Sequence, residues 1–272
     1  MVFARYYTMT GLPTPVFTLT TFAYAGIVFF TAGIVTNQDA PRHLVRMMRS
    51  RHFWITAILS PWFLLHYFRA TSYVHATIAE TLTAFGPLVV YGVVKVVYRD
   101  PLRWSDAVAG IAMAAAAYLL AFGFSAPAGI DRNLLAAVKT VGIGIVIAAF
   151  AKASQKHVPV PDTLAGAALF LGTYFCVACV SLLPAVADLR PLLVLDWRRH
   201  GLLAVSSLLE GSVWFFVFLC TRFLDAYRAS LLHNLSCLFT LAFDFVFLGT
   251  VLTAADYLAV VLLVAGLQVV VR

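Results

Sequence analysis

Charge is what this chain has least of. Only 11% of its 272 residues are Asp, Glu, Lys or Arg, and just 12 are acidic. A soluble domain carries roughly 25% charged residues. A water-exposed surface cannot be assembled from so few, which excludes a soluble enzyme or binding module. The four cysteines (Cys176, Cys179, Cys220, Cys237) all fall inside apolar runs. There they read as small packing residues, without a disulfide framework, and Cys176–Cys179 reads as packing rather than redox or metal chemistry. No Walker-type lysine loop is present, so ATP drive is not indicated, and no GxSxG or HExxH sequence suggests hydrolysis. His66 and His75 flank a turn with no third ligand in view, which argues against a metal site. No cofactor is expected. No cleavable signal peptide is expected, because the N-terminus runs into a polar, proline-containing loop.

What the chain has is apolar length, with 62% hydrophobic residues. A membrane span needs about 20 apolar residues. On that rule about nine spans are predicted: Pro15–Thr36, Phe53–Phe68, Tyr73–Val97, Trp104–Phe124, Leu134–Ala151, Thr163–Pro184, Gly201–Thr221, Ala226–Thr250 and Ala255–Val271. Connections such as Arg69–Ser72 and Thr221–Asp225 leave no room for a soluble domain. Val2–Tyr7 reads as the end of a helix before a turn at Gly11-Leu12-Pro13, so a first helix is expected to begin upstream of Met1.

The net charge of +7 is carried mainly by loops between spans, so it points to membrane topology and not to nucleic acid. Arg42, Arg46, Arg49, Arg51, Lys95, Arg99, Arg103, Lys152, Lys156, Arg222, Arg228 and Arg272 fall on one side. The other side holds Arg5, Arg69, Arg132, Lys139, Arg190, Arg198 and Arg199. The positive-inside rule makes the first side cytoplasmic.

Within the spans a few polar residues stand out, because a carboxylate at mid-bilayer depth costs about 2.5–3.5 kcal/mol on insertion scales. Glu80 lies near the middle of Tyr73–Val97, and Glu210 sits mid-span in LLAVSSLLEGSVWFF. Lys139 lies several residues inside Leu134–Ala151, where it could hold an anionic group or pair with Glu80 or Glu210. A gapless superposition of Ser72-Tyr73-Val74 on Ala226-Tyr227-Arg228 brings Glu80 onto Asn234 and Phe85 onto Phe239. His233 and Asn234 then offer neutral donors and acceptors at the depth of Glu80. Tyr73 and Tyr227 become matched aromatics near helix ends, either gating residues or part of an interfacial belt. Five spans per half, an odd number, would insert the second half inverted, a common transporter plan with the site at the repeat interface.

At these residues a family resemblance enters. Tyr73-Val74-His75-Ala76-Thr77-Ile78-Ala79-Glu80-Thr81-Leu82 with Pro87-Leu88 resembles the fourth helix of the drug/metabolite transporter superfamily. Its nearest branch is that of the triose-phosphate and nucleotide-sugar translocators. Ser230-Leu231-Leu232-His233-Asn234-Leu235, ending Phe247-Leu248-Gly249-Thr250-Val251-Leu252-Thr253, is similar to that branch's ninth helix. Gly11-Leu12-Pro13-Thr14-Pro15-Val16-Phe17 resembles its entry to the second helix.

The resemblance implies an all-α integral membrane fold of two inverted five-helix, EamA-like repeats, here residues 1–125 and 126–272. It also implies solute transport by alternating access, often as antiport. Where sugar-phosphate members carry cations, this chain has Thr83, Ser236 and Cys237, and a dianionic phosphate would be held poorly by such groups.

The expectation is therefore a secondary transporter of a small polar metabolite, such as a nucleotide-sugar-like or other organic anion. Contacts are expected from Glu80, Lys139, Glu210, His233, Asn234, Thr83 and Ser236, with Tyr73 and Tyr227 as gates. The alternative is a proton-coupled exporter of amino acids or other small metabolites. The expected partners are the solute and the lipid bilayer, with a homodimer left open and no nucleic acid. The expected membrane is a Golgi- or ER-type endomembrane in a eukaryote, or the inner membrane in a bacterium.

Overall fold

A computed structural model describes residues 11–74, 76–99, 103–124, 132–233 and 253–271, and among them it contains helices and no strands. Apolar side chains predominate on every long helix because each must meet lipid or another helix, and the backbone satisfies its own hydrogen bonds only in helical form. Among the described residues four helices are long and apolar enough to cross a membrane: Thr14–Thr36, Arg132–Gln155, Leu164–Ala185 and Trp197–Phe223.

The first helix, α1 (Thr14–Thr36), opens with a proline in its first turn, where the missing N–H has no helical partner anyway. Its Thr18, Thr20 and Thr21 hydroxyls donate to carbonyls four residues earlier, at 2.8, 3.0 and 2.9 Å, so these polar groups cost little in an apolar setting. A short helix follows, α2 (Ala40–Met48), and then α3 (Arg51–Ala70). Pro61 inside α3 deprives the Ala57 carbonyl of its helical donor.

The predicted span Tyr73–Val97 is two helices, α4 (Ala76–Thr83) and α5 (Gly86–Val96). Pro87 explains the break. It has no N–H, and its ring is crowded by the carbonyl four residues earlier. The chain tightens instead into three-residue turns, with Ala84 N donating to Thr81 O at 3.1 Å and Leu88 N to Phe85 O at 3.1 Å.

The remaining α-helices among the described residues are α6 (Trp104–Phe122), α7 (Arg132–Gln155), α8 (Leu164–Leu182), α9 (Arg190–Leu193), α10 (Trp197–Phe223), α11 (Ala226–His233) and α12 (Ala254–Val271). The Asp106 carboxylate caps the Arg103 N–H at 2.9 Å at the start of α6, and Asp256 caps Thr253 N at 2.7 Å at the start of α12. Two distant helices thus begin with the same device.

Glycines set the closest crossings. Gly33 of α1 lies against the backbone of Leu169, and Gly172 of α8 against the backbone of Phe30, while Gly26 meets Phe175. Numbers rise along one helix as they fall along the other, so α1 and α8 run antiparallel. The same holds for α6 and α12, where Met113 packs on Gly266 and Gly123 on Ala255, and for α3 and α7, where Phe63 and His66 pack on Gly144 while Thr56 donates to Ala151 O.

Among the described residues two large buried cores result, beside a small cluster of Ala70, Ala79, Val141 and Ile145. One is built on Phe17, Phe22, Phe53, Leu64, Phe170, Tyr174, Phe175 and Phe218. The other is built on Val90, Met113, Ala116, Tyr227, Leu231 and Leu263. Each draws on both the early and the late part of the chain.

Candidate functional site

Deep in the first core, the helices bring polar groups together. Tyr174 of α8 is buried among Phe22, Phe170, Phe175 and Trp214, and its hydroxyl has no hydrogen-bond partner. Ser60, next to the Pro61 interruption of α3, is the hydroxyl that approaches it, without an aligned hydrogen bond. Glu210 of α10 is half-buried and accepts from Trp214 Nε1 at 3.2 Å. One turn of helix separates the two residues, so this bond forms within α10. The adjacent Gly211 carries no Cβ where α10 crosses Ala25 and Phe29 of α1: a methyl there would come within 2.8 Å of the Ala25 Cβ. That close crossing holds Glu210 beside the core. An unsatisfied buried hydroxyl costs about 1–3 kcal/mol, a penalty tolerated where a ligand or water completes the bond.

The structure distributes the sequence-predicted residues unevenly. Glu210 belongs to this cluster. Lys139 is exposed, on the side of α7 opposite the Ala137, Val141, Gly144 and Ala148 face that packs inward. No ion pair joins Lys139 to Glu210 among the described residues. Thr83 is half-buried at the last position of α4, beside the break. The backbone of Glu80 lies in α4 and that of His233 ends α11, but their side chains lie outside the described residues, as do Asn234, Ser236 and Cys237. Tyr73 is half-buried and accepts from Arg69 Nε at 3.3 Å. Tyr227 is wholly buried, its ring 5.2 Å from that of Tyr91 and its hydroxyl donating to the Asp106 carbonyl. The sequence reading missed Tyr174 and Ser60.

A second polar assembly occupies the end where the basic residues gather. Arg222, at the end of α10, meets Asp162 at 2.6 Å and donates to the Val158 and Val160 carbonyls at 3.1 and 2.8 Å. Arg228 of α11 lies 3.8 Å from Asp106 and 3.4 Å from Asp225. Tyr98, after α5, is 2.6 Å from Ser154 of α7 and stacks on His157, with ring centroids 5.1 Å apart and planes 7° from parallel. His52, just ahead of the apolar part of α3, lies 5.1 Å from the His157 ring, and its Nδ1 is buried without a partner. Burial, then the His157 and Arg51 charges, holds its pKa below the usual histidine value. Several of these contacts join the early part of the chain to the late part.

Long apolar helices packed antiparallel, with polar groups in their core, are those of a multi-pass integral membrane protein. The EamA-like transporter family matches residues 130–272, and the chain belongs to this family, one of membrane transporters and not of enzymes. Fifteen solved chains match the fold. One, described as "Crystal structure of protein", has a TM-score of 0.73 at 16% identity and covers 94% of this chain and 86% of its own. At that identity the likeness speaks to the fold alone. No curated protein matches the sequence.

Proposed function

We propose that the chain is a secondary transporter that moves a small polar metabolite by alternating access between two inverted five-helix repeats. The observation that carries this reading is the cluster of Tyr174, Ser60, Glu210 and Trp214, polar groups from three helices converging inside an apolar core. Antiparallel self-pairing supports the repeat plan, since α1 packs on α8 and α6 on α12 about 150 residues further along in each case. The matched Asp106 and Asp256 caps lie at the same spacing.

On this reading the solute binds among these groups together with Glu80, Thr83, His233, Asn234 and Ser236, while Lys139, exposed on the outward side of α7, lies away from them. Inter-repeat contacts at the basic end (Arg228 with Asp106, Tyr98 with Ser154) hold that side shut until the halves rock. The fourth- and ninth-helix sequences support a nucleotide-sugar-like or other organic anion, exchanged by antiport, in the branch of the triose-phosphate and nucleotide-sugar translocators. The Thr83, Ser236 and Cys237 positions weigh against a bare sugar phosphate.

One observation favours a second reading, proton-coupled export. Glu210 bonds to a neutral indole and has no cationic partner among the described residues, and lone intramembrane carboxylates mark proton pathways.

Counterflow in proteoliposomes across a metabolite panel tests both readings, with Glu80→Gln, Glu210→Gln and Lys139→Ala alongside the parent. Antiport predicts uptake that depends on internal substrate and falls in Glu80→Gln and Glu210→Gln but not in Lys139→Ala. Proton coupling predicts uptake driven by a pH gradient and abolished in Glu210→Gln. If all three variants transport an identified substrate like the parent, the assigned site is wrong.

A further inference from the structure

We infer that α2 (Ala40–Met48) and its flanks form a binding surface for an anionic phospholipid, with arginines to hold the headgroup phosphate. The helix is sharply two-sided. Ala40 and Met47 are buried and Leu44 packs on the first core, while Arg42, Val45, Arg46, Met48 and Arg49 are exposed. The three arginines lie at positions i, i+4 and i+7, so one stripe of the helix carries all of them.

They line a groove of about 540 Å³ together with Pro41 and Val45. Its floor is therefore apolar and its rim cationic, the arrangement that an acidic headgroup with its glycerol and acyl carbons would match. A guanidinium fits phosphate oxygens in bidentate fashion, and only a lipid adds apolar carbons to cover Pro41 and Val45. Arg46 also lines a second cleft of about 430 Å³ with His43 and Arg222, whose guanidinium is already taken up by Asp162 and the Val158 and Val160 carbonyls.

Position adds to the chemistry. Helix α2 follows α1 directly, so it lies at the level where the chain leaves that membrane-crossing helix. Trp54, in the first turn of α3, is partly exposed and donates its indole N–H to the Met48 carbonyl at 2.7 Å, as expected of an indole at the headgroup layer. Asp39, the acid next to these arginines in sequence, lies 3.5 Å from an Arg42 side chain that is 88% exposed. A pair so solvated competes weakly with a lipid phosphate. The site needs only the membrane character of the chain and is independent of the transport reading.

Native mass spectrometry of the full chain, purified in detergent and offered phosphatidylglycerol or phosphatidylcholine, tests this. The parent should retain phosphatidylglycerol preferentially. Arg42→Gln/Arg46→Gln/Arg49→Gln should lose that preference, by about fivefold per arginine at low ionic strength, and added salt should shrink the parent's advantage. Arg190→Gln/Arg198→Gln/Arg199→Gln, at the other end of the molecule, should behave like the parent. Should the triple variant fail to fold, Arg42→Gln alone, altering a nearly fully solvated side chain, should still show its single share of the loss. Equal retention of the two lipids by the parent, or undiminished preference in the arginine variants, would overturn the assignment. So would displacement of phosphatidylglycerol by inorganic phosphate at comparable concentration, because the groove would then be a site for soluble anions.

Discussion

Replacing Gly172 by alanine places a methyl group where α8 meets the backbone of Phe29 and Phe30. A side chain in the way can rotate aside, but a backbone cannot, so the two helices must separate. Overpacking costs typically about 1–3 kcal/mol, and an obstacle of this kind belongs at the upper end, about 3 kcal/mol. Separation spreads the damage, because a radial gap of about 0.5–1 Å forfeits a quarter to a half of each dispersion well along the contact. Against this stands the better helix propensity of alanine, worth about 1 kcal/mol, leaving a net loss of about 2 kcal/mol.

Gly142 provides the internal control. It sits in α7 with nothing within 4 Å of where its Cβ would lie, so Gly142→Ala should gain up to about 1 kcal/mol from propensity alone. The two chemically identical changes should therefore differ by about 3 kcal/mol in a denaturant titration of the purified protein. Gly33→Ala should resemble Gly172→Ala, and the double variant should cost less than the sum, since helices already pushed apart accommodate the second methyl more easily. Equal stability of Gly172→Ala and Gly142→Ala would refute the close crossing, and strict additivity of the two interface changes would refute helix separation as its mechanism.

Other expectations follow from the polar assemblies. Arg222→Ala should destabilise by about 1–3 kcal/mol, because it leaves the Val158 and Val160 carbonyls without their donor, whereas Asp162→Asn, at a carboxylate that is 69% exposed, should cost under about 1 kcal/mol; thermal melting separates the two. Because the folded state holds the His52 pKa below 6.5, the unfolded chain takes up the proton first. Stability should then be complete above 6.5 and decline as pH falls below it, and His52→Gln should flatten that decline in melts across the same range. Glu210→Gln keeps an acceptor for Trp214 and should fold like the parent, while Glu210→Leu strands the indole N–H and should cost about 1–3 kcal/mol by the same measurement.

Much of this architecture was legible because membrane helices announce themselves by apolar length, and the limits expected for α1, α3, α6, α7 and α12 fall within a few residues of the observed ones. Two features were hidden by that same signal. The break at Thr83–Gly86 lies in a run so apolar that hydropathy passes over Pro87, although proline chemistry marks the spot. Helix α2 has so many arginines that it reads as a loop until its period is counted, with Leu44 and Met47 facing one way and Arg42, Arg46 and Arg49 the other.

In the candidate site Glu210 was visible as a charge in an apolar run, whereas Tyr174 and Ser60 were not. Hydroxyls are common in these helices, and most satisfy themselves on their own backbone, as Ser206 and Ser207 do on the Leu203 carbonyl at 2.9 and 2.6 Å. A tyrosine hydroxyl stands too far from its own helix for that, so Tyr174 depends on its neighbours, and sequence does not reveal them. The run Gly142-Ile143-Gly144 likewise does not show which of its glycines meets a neighbour. Gly144 meets Phe63 and His66, and Gly142 meets nothing.

The antiparallel pairing of early helices with late ones also governs how the chain must be made. When α1 leaves the ribosome, the surface that Gly33 needs, around Leu169, has yet to be synthesised. At about 5–20 residues per second the wait is on the order of ten seconds, and α6 waits about as long for α12. During that interval the bare glycine faces must be shielded by lipid, by the insertion machinery or by neighbouring helices. Assembly of both cores is therefore a late, nearly concerted event, and a chain interrupted before α8 would hold its first helices in the membrane without the surfaces that position them.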